Sequence, residues 1–217
     1  MAQQITPFSS GAPGFYGLNT QDAPVGIDPA FSLEATNCVI DKYGRIGSRK
    51  GWTKATTTNA DLGTATVDTL SELVTNDGTR YLIAAGNNFL FLFASGTLTK
   101  LTYGGGGVAP TITASNWQSA MLNGVLVLFQ IGHDPLIFEP SVSTTTYRRL
   151  SERVGYTGTV LLANTAVSAY GRIWCASTTA DKNTVQWCDT IAPGAWTAGS
   201  SGTLNLLGVW PQGGDEI

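Results

Sequence analysis

The sequence predicts an all-β protein: a β-propeller-like array of four-stranded antiparallel blades, about three of them visible, with an extended N-terminal arm and a short helix. Three observations carry that prediction. Only 12% of the 217 residues are charged while glycine occurs 26 times, a balance that favours strands and turns over helices, whose wet faces need Glu, Lys and Arg. Three segments of similar rhythm begin at Ser71, Asn116 and Asn164, and their hinge glycines, Gly78, Gly124 and Gly171, fall 46 and 47 residues apart. Within them the apolar residues become almost continuous, at Leu90 to Phe93 and Val125 to Phe129, as in strands covered on both faces. About 45 residues for roughly four antiparallel strands is the spacing of a propeller blade.

The elements follow in order. Residues 1–27, with Pro7, Pro13 and Pro24, read as an extended arm without a core of its own. Residues 28–56 read as a short helix plus a strand pair: Asp28-Pro29 supplies an N-cap and first-turn proline for AFSLEATN, and Cys38–Ile40, a turn at Lys42-Tyr43-Gly44 and a return from Arg45 follow. Residues 57–217 hold the blades. Asp77-Gly78 and Asn123-Gly124 are hairpin dipeptides that tolerate positive φ, whereas Tyr170-Gly171 keeps only the glycine. Outer strands are expected from Thr97 and, more weakly, at Tyr147. Three blades are fewer than the about four to eight of known propellers, so the expectation is an incomplete ring, either a piece of a longer polypeptide or one finished by other chains.

Composition narrows the function classes. A net charge of −3 gives no global attraction to phosphate, so nucleic acid would have to be met by a local patch. The opening MAQQITPFSSG lacks the basic and apolar regions of a secretory signal, and FLFLFA at 89–94 is too short to cross a bilayer as a helix. Cys38, Cys175 and Cys188 are odd in number and widely spaced, which suits small apolar strand residues better than a disulfide framework. Trp174, Trp187 and Trp196 either fill the space between blade faces or form a ligand platform.

FSLEATNCVIDKYGRIGSRKGW, YGRIWCAS and NTVQWCDTIAPGAWTAGSSGTLNL with WPQGGDEI resemble the tail nozzle proteins of short-tailed bacteriophages, of the tail tubular protein B type. The resemblance covers residues 17–52 and 164–217; the middle agrees in strand rhythm alone, and the chain is shorter than such nozzles. It implies a virion structural protein of the phage tail, a homohexamer forming a tube below the portal and its adaptor through which double-stranded DNA is ejected. Its partners would be the head–tail adaptor, tail fibre or spike proteins and the passing duplex, with no stable membrane insertion and no cofactor. The chain would be made in the bacterial cytoplasm and reside in the virion tail. Low charge suits a conduit, since each strong Lys or Arg contact to phosphate would hold the polymer back.

Within the basic stretch DKYGRIGSRKGW, Lys42, Lys50 and Arg45 are candidates to face DNA in the lumen. Arg49 is a candidate for a structural contact, because a planar guanidinium can satisfy several carbonyls at a chain crossing; Arg148, Arg149 and Arg153, a second basic group in a Thr-rich linker, are candidates for contact with an acidic neighbouring subunit or for a solvated loop. No catalytic or metal site is expected: His133 beside Asp134 reads as a turn, YGGGGVAP lacks the Gly-Lys-Ser/Thr end of a phosphate cradle, and the single histidine and scattered cysteines give no zinc spacing. Asp181-Lys182-Asn183 supports calcium weakly. The rival classes are a carbohydrate-binding propeller, with Trp187 and Trp196 stacking on sugars, and a propeller hydrolase.

Overall fold

A computed structural model describes residues 16–22, 26–28, 30–32, 34, 36–40, 46–112 and 116–207. The chain divides into two units, Met1–Lys54 and Ala55–Ile217. In the first, β1 (Gly17–Leu18) runs parallel to β2 (Phe31–Ser32), and β3 (Cys38–Ile40) pairs antiparallel with β4 (Ile46–Ser48).

The helix expected over 30–37 is not formed by the described residues there. Asp28 does cap, its carboxylate accepting the Ala30 N–H at 2.8 Å, but the chain closes as a turn through Phe31 N–H to Asp28 C=O. An Asx turn offers the backbone an alternative to the first helical turn, and the pairing of Phe31–Ser32 with Gly17–Leu18, supported by the Tyr16 and Phe31 rings 5.8 Å apart, takes the segment into a sheet.

Among its described residues the second unit is all-β apart from one 3₁₀ turn, Leu150–Glu152. Its first sheet is the meander β5 (Thr69–Val74), β6 (Arg80–Gly86), β7 (Phe89–Ala94), β8 (Thr97–Lys100). Then comes the short strand β9 (Thr102–Tyr103). The second sheet is β10 (Gln118–Leu122), β11 (Val125–Phe129), β12 (Leu136–Phe138), β13 (Thr146–Arg149), with β9 added parallel to β13 at its outer edge. The third is β14 (Ala163–Ala169), β15 (Arg172–Thr178), β16 (Thr184–Trp187), β17 (Gly202–Asn205). Residues 146–149, read from sequence as part of a Thr-rich linker apart from a weak strand candidate at Tyr147, are thus the fourth strand of the middle sheet.

Tight turns set these registers. Asn123-Gly124 and Tyr170-Gly171 both have positive φ at each central residue, the primed turn whose twist matches the flanking strands. Tyr170 adopts φ 52° although a tyrosine there is strained. The β5–β6 connection is longer: Thr75 N–H donates to Thr79 C=O, and only Gly78 takes positive φ.

The unbroken apolar run of β11 is divided between two cores by the period of two. Leu126 and Leu128, with Leu136, Phe138 and Tyr147, pack against Leu73, Ile83, Ala85 and Leu90 of the first sheet. Val125, Val127 and Phe129, with Ile137, pack against Ala163, Ile173, Cys175 and Cys188 of the third. The middle sheet is therefore buried on both faces, each full-length apolar side chain contributing about 1.5–3 kcal/mol through its removal from water. Equivalent positions also meet directly: on the first strands of the second and third sheets Met121 N–H donates to Ser168 Oγ, and between the hinge turns of the first and second sheets Asn76 Nδ2 donates to Asn123 Oδ1, each pair 47 residues apart. The contacts between sheets thus follow the sequence repeat.

Candidate functional site

Of the opening basic stretch, Lys42 and Arg45 lie outside the described residues. Arg49 and Lys50 follow β4 and are exposed. The Arg49 N–H donates to Asn37 C=O at 2.8 Å, extending the β3–β4 pairing. Its guanidinium lies 4.9 Å from the ring centroid of Trp52, which is 86% exposed. The side chain thus rests on an open indole face. With Val39 and Lys50 these groups form a shallow surface, basic and aromatic together. Such a surface can meet a phosphate chain or a protein neighbour, though exposed cation–π pairs contribute only about 0.5–1 kcal/mol.

The second arginine group is built into the middle sheet. Arg149 closes β13: its Nη2 donates to Val108 C=O at 2.9 Å, its Nη1 to Tyr103 Oη at 3.2 Å, and it lies 3.7 Å from Glu152. The Tyr103 hydroxyl in turn donates to Glu152, 2.6 Å from Oε2. Burial and the carboxylate together push the Tyr103 phenol up to about 12. Gly105 passes so close that a Cβ there would lie 2.1 Å from Glu152 Oε2 and 2.3 Å from Tyr103 Oη. The glycine-rich loop after β9 is therefore fastened to the sheet edge by Arg149, and a side chain at 105 would displace the Glu152 carboxylate and the Tyr103 hydroxyl from each other.

Arg153 pairs with Glu139 at 2.8 Å, with side chains only 23% and 12% exposed, although its Nε is buried without a partner. Arg148 sits half-buried on β13 opposite Ile137. So Arg149 and Arg153 make their polar contacts within the chain. Tyr103, Glu139 and Glu152 were not singled out in the sequence. Tyr103 and Glu152 stand 49 residues apart, and no spacing rule connects a β9 tyrosine to a 3₁₀ glutamate.

A polar cleft of about 280 Å³ is lined by Gln130, His133, Asp134 and Arg149 among others. Asp134 is occupied: Ser151 donates to it through both its hydroxyl and its N–H, and burial raises its carboxyl. His133 stands in the turn expected for it, its N–H donating to Gln130 C=O at 3.1 Å. Asp181 is likewise filled by protein donors, Thr184 Oγ1, Asn183 N–H and Asn205 Nδ2, which leaves a cation little to displace water for. Among the described residues no group of three or more His, Cys, Asp or Glu could hold a metal ion.

The tryptophans divide. Trp196 is 5% exposed in the core shared by the second and third sheets, its indole N–H donating to Pro193 C=O. No face of it is open to a sugar. Trp174 and Trp187 stack 5.0 Å apart and are half-buried. Cys175 and Cys188 are buried free thiols, and burial pushes Cys175 up to about 12. No helix among the described residues is long and apolar enough to cross a membrane. No protein-family model matches the sequence, and no curated protein matches it.

Proposed function

We propose that the chain is a structural subunit of a phage tail nozzle, a propeller-like building block of a ring of copies, six in the resembling family, that surrounds ejected DNA below the head–tail adaptor. The observation that carries this reading is the series of three consecutive four- and five-stranded sheets, sharing two cores in sequence order, with repeat-equivalent residues bonded at both junctions. The chemistry of the described residues is compatible with a passive wall: Asp134 and Asp181 are occupied by donors of the protein itself, and the arginines of the middle sheet are engaged internally. Lys50, with Lys42 and Arg45, remains the proposed contact to the duplex. Few such contacts suit a polymer that must slide, because each phosphate neutralised adds affinity.

The test is location. Antibodies raised against the purified chain should decorate the tail of particles that carry it, next to the head–tail junction; decoration of the capsid alone, or absence of the chain from the particles, overturns the reading. A second reading, carbohydrate binding, is favoured by the Trp174–Trp187 stack alone. Glycan-array binding lost in Trp187→Ala, with folding retained, would establish it.

A further inference from the structure

The three hinge glycines give every sheet a direction. Counted from Gly78, Gly124 and Gly171, residues at odd offsets on the second strand face the following sheet: Tyr81 and Ile83 point to the second sheet, Val127 and Phe129 to the third. Residues at even offsets face the preceding one: Leu128 packs on the first sheet, Cys175 on the second. By the same count, Trp174 and Ala176 of the third sheet are in the position of a face awaiting a following sheet. Leu82 and Ala84 of the first are in the position of a face awaiting a preceding one; Ala84, with Phe91 and Leu98, is already covered by Leu62, which leaves the part at Leu70 and Leu82 open.

Both of these outer faces are apolar and partly open. On the first sheet, a groove of about 330 Å³ runs between the strands and residues 55–67, lined by Leu62, Val67, Leu70, Leu82 and Phe93; Leu70 is 58% exposed. On the third, Val167 and Leu204, 58% and 50% exposed, flank the stacked Trp174 and Trp187. We propose that the third sheet of one copy packs, head to tail, on the first sheet of a second copy of this chain, repeating the contact that the chain already makes twice within itself.

The internal contacts specify this partner. In both, a face of odd-offset residues meets a face of even-offset residues, and the two open faces are one of each kind. A symmetric pairing of like faces would use a juxtaposition the molecule nowhere contains. The faces are also ready to be dried. Both indole N–H groups are satisfied, Trp174 by Ala169 C=O at 3.1 Å and Trp187 by Ser200 C=O at 3.0 Å, so covering the rings orphans no donor. The charged pair on the first sheet's open face, Arg80 with Glu72, and the pair beside it, Lys100 with Asp61, are already closed, each at 2.9 Å. A contact between unlike faces is heterologous, so it propagates from copy to copy, into a closed ring where the rotation closes and an open filament where it does not. The inference does not depend on a role in a phage tail.

The experiment measures the mass of the full 217-residue chain by light scattering, alone and in mixtures. Wild type should associate. Leu70→Glu, which charges the first sheet's open face, and Val167→Glu, which charges the third's, should each weaken association about a hundredfold or more, since a charge without a partner would have to be buried. Mixing the two variants should restore a pair, because the untouched third sheet of the first variant meets the untouched first sheet of the second. If either variant alone still pairs as wild type does, the contact is symmetric and the proposal fails; a wild type of single-chain mass also overturns it. Circular dichroism checks folding, and Leu70→Ser with Val167→Thr repeat the mixing test should a glutamate variant unfold.

Discussion

Two arginine-bearing stretches differ in what their charge is used for. After β4, Arg49 lies over an 86%-exposed Trp52 with Lys50 beside it. On β13 and the 3₁₀ turn, Arg149 and Arg153 hold a carbonyl, a phenol and two carboxylates of their own chain. The same residue type is solvated in one place and a fastening in the other. The difference follows from position: the first stretch leaves a two-stranded hairpin, whereas the second sits at the edge of a sheet buried on both faces, where a loop must be tied down and a half-buried charge is paired. The first is therefore the region free to meet something outside the chain.

This comparison can be broken by mutation. The largest effect is expected from Arg153→Ala, which strands Glu139 in a site where it is 12% exposed; removal of one partner of a largely buried pair should cost about 2–4 kcal/mol, read from urea midpoints, and a loss under about 0.5 kcal/mol would place this pair with the surface charges. Arg149→Ala should cost about 1–2 kcal/mol through the bonds to Val108 and Tyr103, with earlier proteolysis of the 104–112 loop.

Tyr103→Phe should cost about 1 kcal/mol and remove one late-titrating phenol. The sign follows from its folded pKa of about 12, above the unfolded value near 10. Between these the unfolded chain has already lost the proton that the folded chain keeps, so stability contributed by Tyr103 is full below pH 10 and falls as pH rises towards 12. Alkaline titration of tyrosinate absorbance, wild type against Tyr103→Phe, checks this.

The smallest effect on stability is expected from Arg49→Ala and Lys50→Ser, each within about 0.5 kcal/mol. For the proposed nozzle role, Lys42→Ser combined with Lys50→Ser should leave tail assembly intact and alter only genome retention or ejection, read from particle yield and DNA release. A large loss of stability at Arg49 would give it the fastening role that the β13 arginines have.

Much of the second unit was legible in the sequence because its signals are local. The hinges at Gly124 and Gly171 and the two-sided run Val125–Phe129 follow from turn chemistry and a period of two. What escaped depends on distant partners. The Asp28 capping signal was real, yet a strand at Gly17–Leu18 claimed the residues after it. TYRR at 146–149 gave only a weak strand signal at Tyr147 because three of its four residues are polar; the strand forms between β12 and the short β9, where half-exposed polar side chains need no apolar alternation. Arg149 was read in a Thr-rich linker where it could meet an acidic neighbouring subunit, and it bonds Val108 and Tyr103 of its own chain; Arg49, chosen as a guanidinium that could satisfy carbonyls, lies over an indole. Its tryptophan was three residues away, but nothing in sequence says whether a neighbouring ring will be buried or open.

The parallel pairing of β9 with β13 has a consequence for synthesis. Thr102 and Tyr103 leave the ribosome 44 residues ahead of Thr146 and Tyr147, their ladder partners. At 5–20 residues per second that is a wait of roughly 2–9 s, during which the first sheet can be complete while the edge of β9 has nothing to zip to. The emerging chain thus carries a bare ribbon between one finished layer and one unfinished layer, a moment when a holdase or a stray neighbouring strand has its best opportunity to bind.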